Sequence, residues 1–156
     1  MEIAVLLGGA GFDSQKRTIN GILESAIQDE GNVYIFAGEG WSYRERSSYE
    51  EGEYNIYRLV DFSKYDGVIV NLDTIHDEKV VEEIMCGIRE ADVPCVSLNI
   101  EWEGAICIKM ENHKGIAALL EHLINVHQVK TVSYVSGPCD NQDAKERLDA
   151  FRKTMD

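Results

Sequence analysis

The stretch KYDGVIVNLD, residues 64–73, decides how this chain folds. It begins with a turn signal (Tyr-Asp-Gly), continues with the β-branched run 68–70, and becomes polar where that run stops. A near-continuous apolar strand is buried on both faces, as in parallel α/β sheets. Polar residues just beyond the carboxyl end of such a strand lie where open α/β sheets bind ligands. The stretch therefore predicts a central parallel strand followed by two candidate ligand-binding residues, Asn71 and Asp73.

The rest of the chain repeats this plan, with strands and helices in near-strict alternation. The residue pattern predicts strands at 2–7, 33–37, 67–72, 95–100, 105–110 and 131–135. It predicts helices at 15–29, 55–62, 77–91, 112–126 and 143–155, the fourth with Asn112 as its N-cap. Such alternation favours an α/β fold, a three-layer doubly wound and mostly parallel sheet with right-handed crossovers.

Composition and charge exclude several classes of function. The 156 residues carry a formal net charge of −13, which repels nucleic-acid backbones and anionic membrane surfaces. No apolar run approaches the ~18–20 residues of a membrane span, and the amino terminus reads as a strand rather than a signal peptide. The cysteines show neither a C-x-x-C pair nor zinc spacing, which indicates reduced thiols in a cytoplasmic protein: Cys86, Cys95, Cys107 and Cys139.

Several short motifs resemble one family in the right order over almost the whole chain. The chain resembles type I periplasmic-binding-protein-like domains, as in the lactose-repressor family of sensors. The matching segments are YDGVIV (65–70), VPCV (93–96), ENHKG (111–115), EHLI (121–124), VSYVSGP (132–138) and ERLDAF (146–151). ENHKG is similar to the family's D-N-x-x-G, and ERLDAF to its R-x-x-G-F. The chain departs from the family at three positions: Glu111 in place of Asp, Val126 in place of Gly, and Ala150 in place of Gly.

The resemblance implies a ligand-binding lobe with the flavodoxin-like strand order 2-1-3-4-5. Residues 1–128 would form a first lobe, and residues 129–156 the first strand and helix of an incomplete second lobe. The expected function is that of a non-catalytic, small-molecule sensor in a bacterial signalling or transcription-regulatory protein. Its effector, a sugar, nucleoside or amino-acid-like molecule, would bind between the lobes without a cofactor. An alternative host is a diguanylate cyclase-type signalling protein with this sensor at its amino terminus.

The resemblance also implies a homodimer, since the first lobe often provides a dimer face in this family. Exposed apolar positions on the first and third helices are the expected contacts between the two copies.

Seven candidate ligand-binding residues follow strand ends or begin the next element. Small polar ligands need an aromatic face together with a few charged or amide groups. The candidates are Phe12, Asp13, Trp41, Asn71, Asp73, Asn99 and Glu111. Two alternatives stay open at this point, because Trp41 is also suited to covering the sheet edge and Asp73 to capping the next helix.

Enzyme functions find less support in the sequence. Gly9-Ala10-Gly11 supplies two glycines of a dinucleotide fingerprint without the third, and Glu39 stands where a ribose-binding acid would follow the second strand. A flavin carrier shares the predicted strand order. A receiver needs an acidic pair after its first strand, which this chain lacks. With no catalytic constellation or metal motif readable, a nucleotide- or flavin-binding enzyme domain is the alternative to a sensor.

Overall fold

The computed structural model describes residues 1–38, 52–139 and 141–155. Strands β1–β5 are Glu2–Gly8, Asn32–Gly38, Gly67–Asn71, Cys95–Leu98 and Ala105–Ile108. Helices α1–α5 are Asp13–Gln28, Asn55–Arg58, Glu78–Ala91, Asn112–Asn125 and Gln142–Met155, and two 3-10 turns span Phe62–Lys64 and Leu72–Thr74. The chain forms two compact units, Met1–Lys109 and Met110–Asp156.

The first unit contains a five-stranded sheet in the order β2-β1-β3-β4-β5. Each neighbouring pair of strands runs parallel, with β1 between β2 and β3. Helices flank the sheet, so the predicted doubly wound α/β fold and its 2-1-3-4-5 strand order are confirmed.

One face of the sheet and helix α3 form the main core. Alternate strand residues point to this face, as the two-residue repeat of a strand requires, and α3 meets them with a 3.6-residue apolar stripe. The fully buried members are Ala4, Leu6, Val68, Val70, Val80, Ile84 and Ile88. Asp77 fixes where α3 begins, because its side chain accepts the backbone N–H groups of Lys79 and Val80.

Helix α1 lies on the opposite face and is less deeply buried. Ile22 and Ala26 line a cavity of about 380 Å³ together with Ile3 and Ile69 of the sheet. Ile27, near the end of this helix, is 74% exposed.

The second unit is built on the packing of α4 against α5, with the ring of Tyr134 stacked on that of Phe151 at 4.8 Å between centroids. The prediction that Asn112 caps α4 is wrong, because Asn112 is the first helical residue and Glu111 precedes it. The buried Asn112 amide instead bonds to α5. It donates to Asp143 (2.9 Å) and Glu146 (3.1 Å) and accepts from Arg147 (2.8 Å).

Two other predicted elements differ in the structure. Residues 131–135 form no strand, so the predicted sixth strand is wrong. A strand requires a neighbour for its ladder hydrogen bonds, and no strand of the described residues pairs with this segment. The helix expected at 55–62 is reduced to the single turn Asn55–Arg58 followed by the 3-10 turn at Phe62–Lys64. Among the helices that the structure describes, none is long and apolar enough to cross a membrane.

Candidate functional site

Four amide and carboxylate side chains meet where β3 and β4 end. Asn71 closes β3 and is 5% exposed, Asp73 lies in the following 3-10 turn, and Asn99 directly follows β4. The Asn99 amide nitrogen donates to a carboxylate oxygen of Asp73 at 3.0 Å and lies 3.4 Å from the amide oxygen of Asn71. The Asn71 amide nitrogen donates to Gln15, in the first turn of α1, at 3.0 Å. We call Gln15, Asn71, Asp73 and Asn99 the amide cluster.

The backbone of Asn99 has a left-handed conformation, with φ at +68°. Asparagine tolerates this region better than most residues, which explains why it can turn the chain immediately after β4. The Asn99 N–H donates to the carbonyl of Ile108 on β5 at 2.9 Å. The turn is therefore anchored to the neighbouring strand, and it brings the Asn99 amide to Asp73.

Thr74 joins the end of β1 to Asn71, the last residue of β3. Its hydroxyl accepts the backbone N–H of Gly8 at 2.7 Å and donates to the carbonyl of Asn71 at 2.6 Å. Gly8 must lack a side chain here, because a Cβ atom at this position would collide with the Thr74 carbonyl. The close approach fixes where β3 ends and thus where Asn71 is placed.

Tyr57 joins the ends of β1 and β2 at the same edge of the sheet. Its buried hydroxyl accepts the N–H of Gly38 at 3.1 Å and donates to the carbonyl of Leu7 at 2.8 Å. Burial raises the pKa of Tyr57 to about 12, so the phenol stays protonated and can serve both partners.

The loop from β1 to α1 carries the first two candidates, Phe12 and Asp13. Gly9 has a positive φ of +65°, and a Cβ atom there would meet the ring of Phe12 at 2.6 Å. The Phe12 ring therefore lies against bare backbone and is 43% exposed, which leaves part of it accessible for stacking. Asp13 begins α1, where the helix dipole favours a carboxylate, and its side chain forms an exposed ion pair with Lys16 at 3.7 Å.

Two candidates remain, Trp41 and Glu111. Trp41 falls outside the described residues, as does Glu39 of the nucleotide-binding alternative. Glu111 belongs to the second unit, where it pairs with Lys114 at 3.6 Å.

Sequence reasoning missed Gln15, Thr74 and Tyr57. Gln15 could have been predicted from the sequence, because the first turn of the helix after β1 lies at the same sheet edge as the ends of β3 and β4. Thr74 follows Asp73 by one residue, but only the approach of Gly8 gives its hydroxyl a partner. Tyr57 carries no local signal, since its partners lie 19 and 50 residues away along the chain.

The amide cluster is suited to recognition by hydrogen bonds. Amides both donate and accept, and a carboxylate accepts, which matches ligands rich in hydroxyl groups. In the part of the chain that the structure covers, no group of three or more His, Cys, Asp or Glu side chains could hold a metal ion.

No family model and no curated protein matches this sequence. Solved structures of transcription regulators share its fold. A lac repressor dimer bound to operator and the anti-inducer ONPF is 18% identical, with a TM-score of 0.70 over 99% of this chain and 50% of the repressor. The transcription regulator CcpA of Lactococcus lactis is 15% identical, with a TM-score of 0.69 over 99% of this chain and 53% of CcpA.

A LacI-family transcriptional regulator from Mycobacterium smegmatis is 18% identical, with a TM-score of 0.66 over 98% of this chain and 50% of that regulator. The chain thus spans about half the length of these regulators. These comparisons give no support to a diguanylate cyclase host. The chain has the type I periplasmic-binding-protein-like fold of lactose-repressor-family regulators, which confirms at the level of the fold the resemblance carried by its motifs.

Proposed function

We propose that this chain is the effector-binding lobe of a cytoplasmic transcription regulator and that it performs no chemistry itself. The observation that carries the proposal is the amide cluster at the carboxyl ends of β3 and β4, where open α/β sheets bind ligands.

The chemistry of the amide cluster favours a polar ligand with several hydroxyl or amine groups. Hydrogen bonds among Asn71, Asp73 and Asn99 set the orientation of each amide before a ligand arrives, which lowers the entropy cost of binding. Phe12, which directly precedes α1 and is partly exposed, offers an apolar face for a sugar or nucleobase ring. A sugar or nucleoside fits these groups, and an amino-acid-like ligand would place its ammonium near Asp73.

In a longer protein, the ligand would be clamped between this lobe, residues 1–128, and a second lobe that begins with residues 129–156. The lac repressor structures are described with the ligands ONPF and ONPG. A ligand that contacts both lobes favours the closed state only to the extent that it binds that state more tightly. We therefore expect this chain alone to bind its effector far more weakly than a version extended through a second lobe.

A thermal-shift screen of sugars, nucleosides and amino acids against the chain and its extended version tests this proposal. One class of metabolite should raise the melting temperature of the extended protein. Asp73→Asn and Asn99→Gly should each abolish that rise. Asn99→Gly suits the left-handed backbone at this position, and Asp61→Asn, at an exposed carboxylate elsewhere in the first unit, is the matched control. Stabilisation by NAD or FMN, or by no compound, would refute the proposal.

A homodimer is part of the proposal, since two of the lac repressor structures are described as dimers. Of the two helices expected at the dimer face, α3 is unsuitable because its apolar stripe is buried in the core. Helix α1 retains exposed Ile27. Sedimentation should show a dimer that Ile27→Glu weakens, and a monomer at every protein concentration would exclude this part of the proposal.

A further inference from the structure

The end of helix α4 brings two histidine side chains together. The Nε2 atoms of His122 and His127 lie 3.1 Å apart, with their rings in an edge-to-face arrangement at 4.9 Å between centroids. Both side chains are exposed, so ions from solvent can reach them. We propose that His122 and His127 form a binding site for a divalent transition-metal ion such as Zn²⁺.

The separation of the two nitrogens fits chelation of a single ion. A zinc–nitrogen bond is about 2.0–2.1 Å long, so N–Zn–N angles of about 90–110° place the two nitrogens roughly 2.9–3.4 Å apart. The observed 3.1 Å lies inside this range. The competing arrangement is a hydrogen bond between two neutral imidazoles, in which one Nε2 carries the proton. Chelation requires both Nε2 atoms to be unprotonated, with the protons on Nδ1.

The backbone holds His127 beside the last turn of the helix. The N–H of His127 reaches the carbonyl of His122 at 3.4 Å, and the N–H of Val129 donates to the carbonyl of Leu123 at 3.1 Å. Gln128, between them, has a left-handed φ of +52° that turns the chain back over the helix end. The backbone therefore holds the two histidines side by side, so binding an ion requires a change of tautomer in one ring rather than a movement of the chain.

Two imidazoles make this an exchangeable site rather than a structural one. Within residues 1–38, 52–139 and 141–155, no third His, Cys, Asp or Glu completes a set with the pair. Water would fill the remaining positions, so the ion should bind more weakly than at structural zinc sites, which use four protein ligands. The net charge of −13 raises the local concentration of cations around the protein.

Calorimetric titration of the metal-free protein with Zn²⁺ tests the proposal. We expect one site per chain and a loss of affinity of at least about tenfold in His122→Ala and in His127→Ala, because even partners outside the coordination sphere cost 10–100-fold. His76→Ala and His113→Ala, at the other two histidines, both exposed, are the matched controls and should bind as the parent does.

Proton NMR of the unmutated protein gives a second test that does not depend on the variants folding. Zn²⁺ should shift the imidazole resonances of two of the four histidines, those that His122→Gln and His127→Gln assign. Unchanged affinity in His127→Ala, equal losses in His113→Ala, or no binding at millimolar Zn²⁺ would overturn the proposal and leave a plain hydrogen bond between the rings.

Discussion

Replacing Tyr57 by phenylalanine tests how the strand ends at the carboxyl edge of the sheet are held together. The Tyr57 hydroxyl bonds to Leu7 at the end of β1 and to Gly38 at the end of β2. These bonds lie beside the start of the loop that carries Phe12. Phenylalanine keeps the buried ring and removes only the hydroxyl, so no large cavity forms.

The expected loss can be worked out from these two hydrogen bonds. Each contributes about 0.5–1.5 kcal/mol net, and leaving the buried N–H of Gly38 without a partner costs about 1–3 kcal/mol. We therefore expect Tyr57→Phe to lower the free energy of unfolding by about 2 kcal/mol at pH 7. Tyr65→Phe, which leaves the ring contacts with Tyr34 and Phe36, is the matched control and should cost less than about 0.5 kcal/mol.

The pKa of Tyr57, raised to about 12 chiefly by burial, gives the same variant a signature in pH. Between the ordinary value of 10 and about 12, the unfolded chain has lost this proton while the folded chain keeps it. The folded state thus binds more protons, and stability falls as the pH rises through this window, by about 2–3 kcal/mol in all. The phenylalanine variant lacks this contribution, so its deficit relative to the parent should shrink above pH 10.

Urea unfolding of the three proteins, followed by circular dichroism at pH 7 and at steps from pH 9 to 11.5, measures both effects. A Tyr57→Phe loss no greater than that of Tyr65→Phe would refute the structural role given to the hydroxyl. A deficit that stays constant or widens above pH 10 would refute the assigned direction of the pKa shift.

Three further predictions concern other parts of the chain. Gly8→Ala should lower the free energy of unfolding by at least about 3 kcal/mol, because its Cβ collides with the Thr74 carbonyl. Gly21→Ala, in open space within α1, should raise it by about 0.5–1 kcal/mol. Thermal melts of the two variants measure both changes. Asn112→Ala should lower the stability of the second unit by about 2–3 kcal/mol, since it leaves the buried partners of the amide, Asp143 and Arg147, without it. Faster proteolytic cleavage within α4 and α5 would report this loss. The thiol of Cys86 donates to Glu90 at 3.4 Å, and this carboxylate raises the pKa of the thiol. Glu90→Gln should therefore speed the reaction of Cys86 with a disulfide reagent at pH 8, and an unchanged rate would contradict the contact.

The sheet was predictable because its strands carry their own signal. Residues 68–70 form an apolar run, with Val68 and Val70 buried and Ile69 half-buried, and such runs indicate a parallel strand without reference to the rest of the chain. The segment 131–135 has the same β-branched character but forms no strand, because a strand also depends on a neighbour that propensity does not report. Local pattern thus predicted where strands are possible, and pairing decided which of them form.

The location of the candidate site was predictable from the sequence, but only some of its residues were. The rule that ligands bind beyond the carboxyl ends of parallel strands selected Asn71, Asp73 and Asn99, and the structure brings these three together. The same rule could not select Tyr57, whose role depends on two backbone groups distant in sequence. The assignment of these residues to ligand binding remains a prediction, because the hydrogen bonds among them also suffice to fix the strand ends.

The contact between two of the resembling motifs gives a physical reason for that resemblance. ENHKG and ERLDAF meet in the second unit, where the Arg147 guanidinium donates to the buried Asn112 amide at 2.8 Å. A buried amide needs its partners, so Asn and Arg at these positions depend on each other. Glu111 is exposed, and replacing the family's Asp by Glu there changes little that is packed. Ala150 is 3% exposed on α5, which packs against α4, so the methyl group that Ala adds to the family's Gly is buried. Of the three departures from the family, Glu111 and Val126 are exposed, the latter at 63%, so neither alters the packed interior, and only Ala150 is buried.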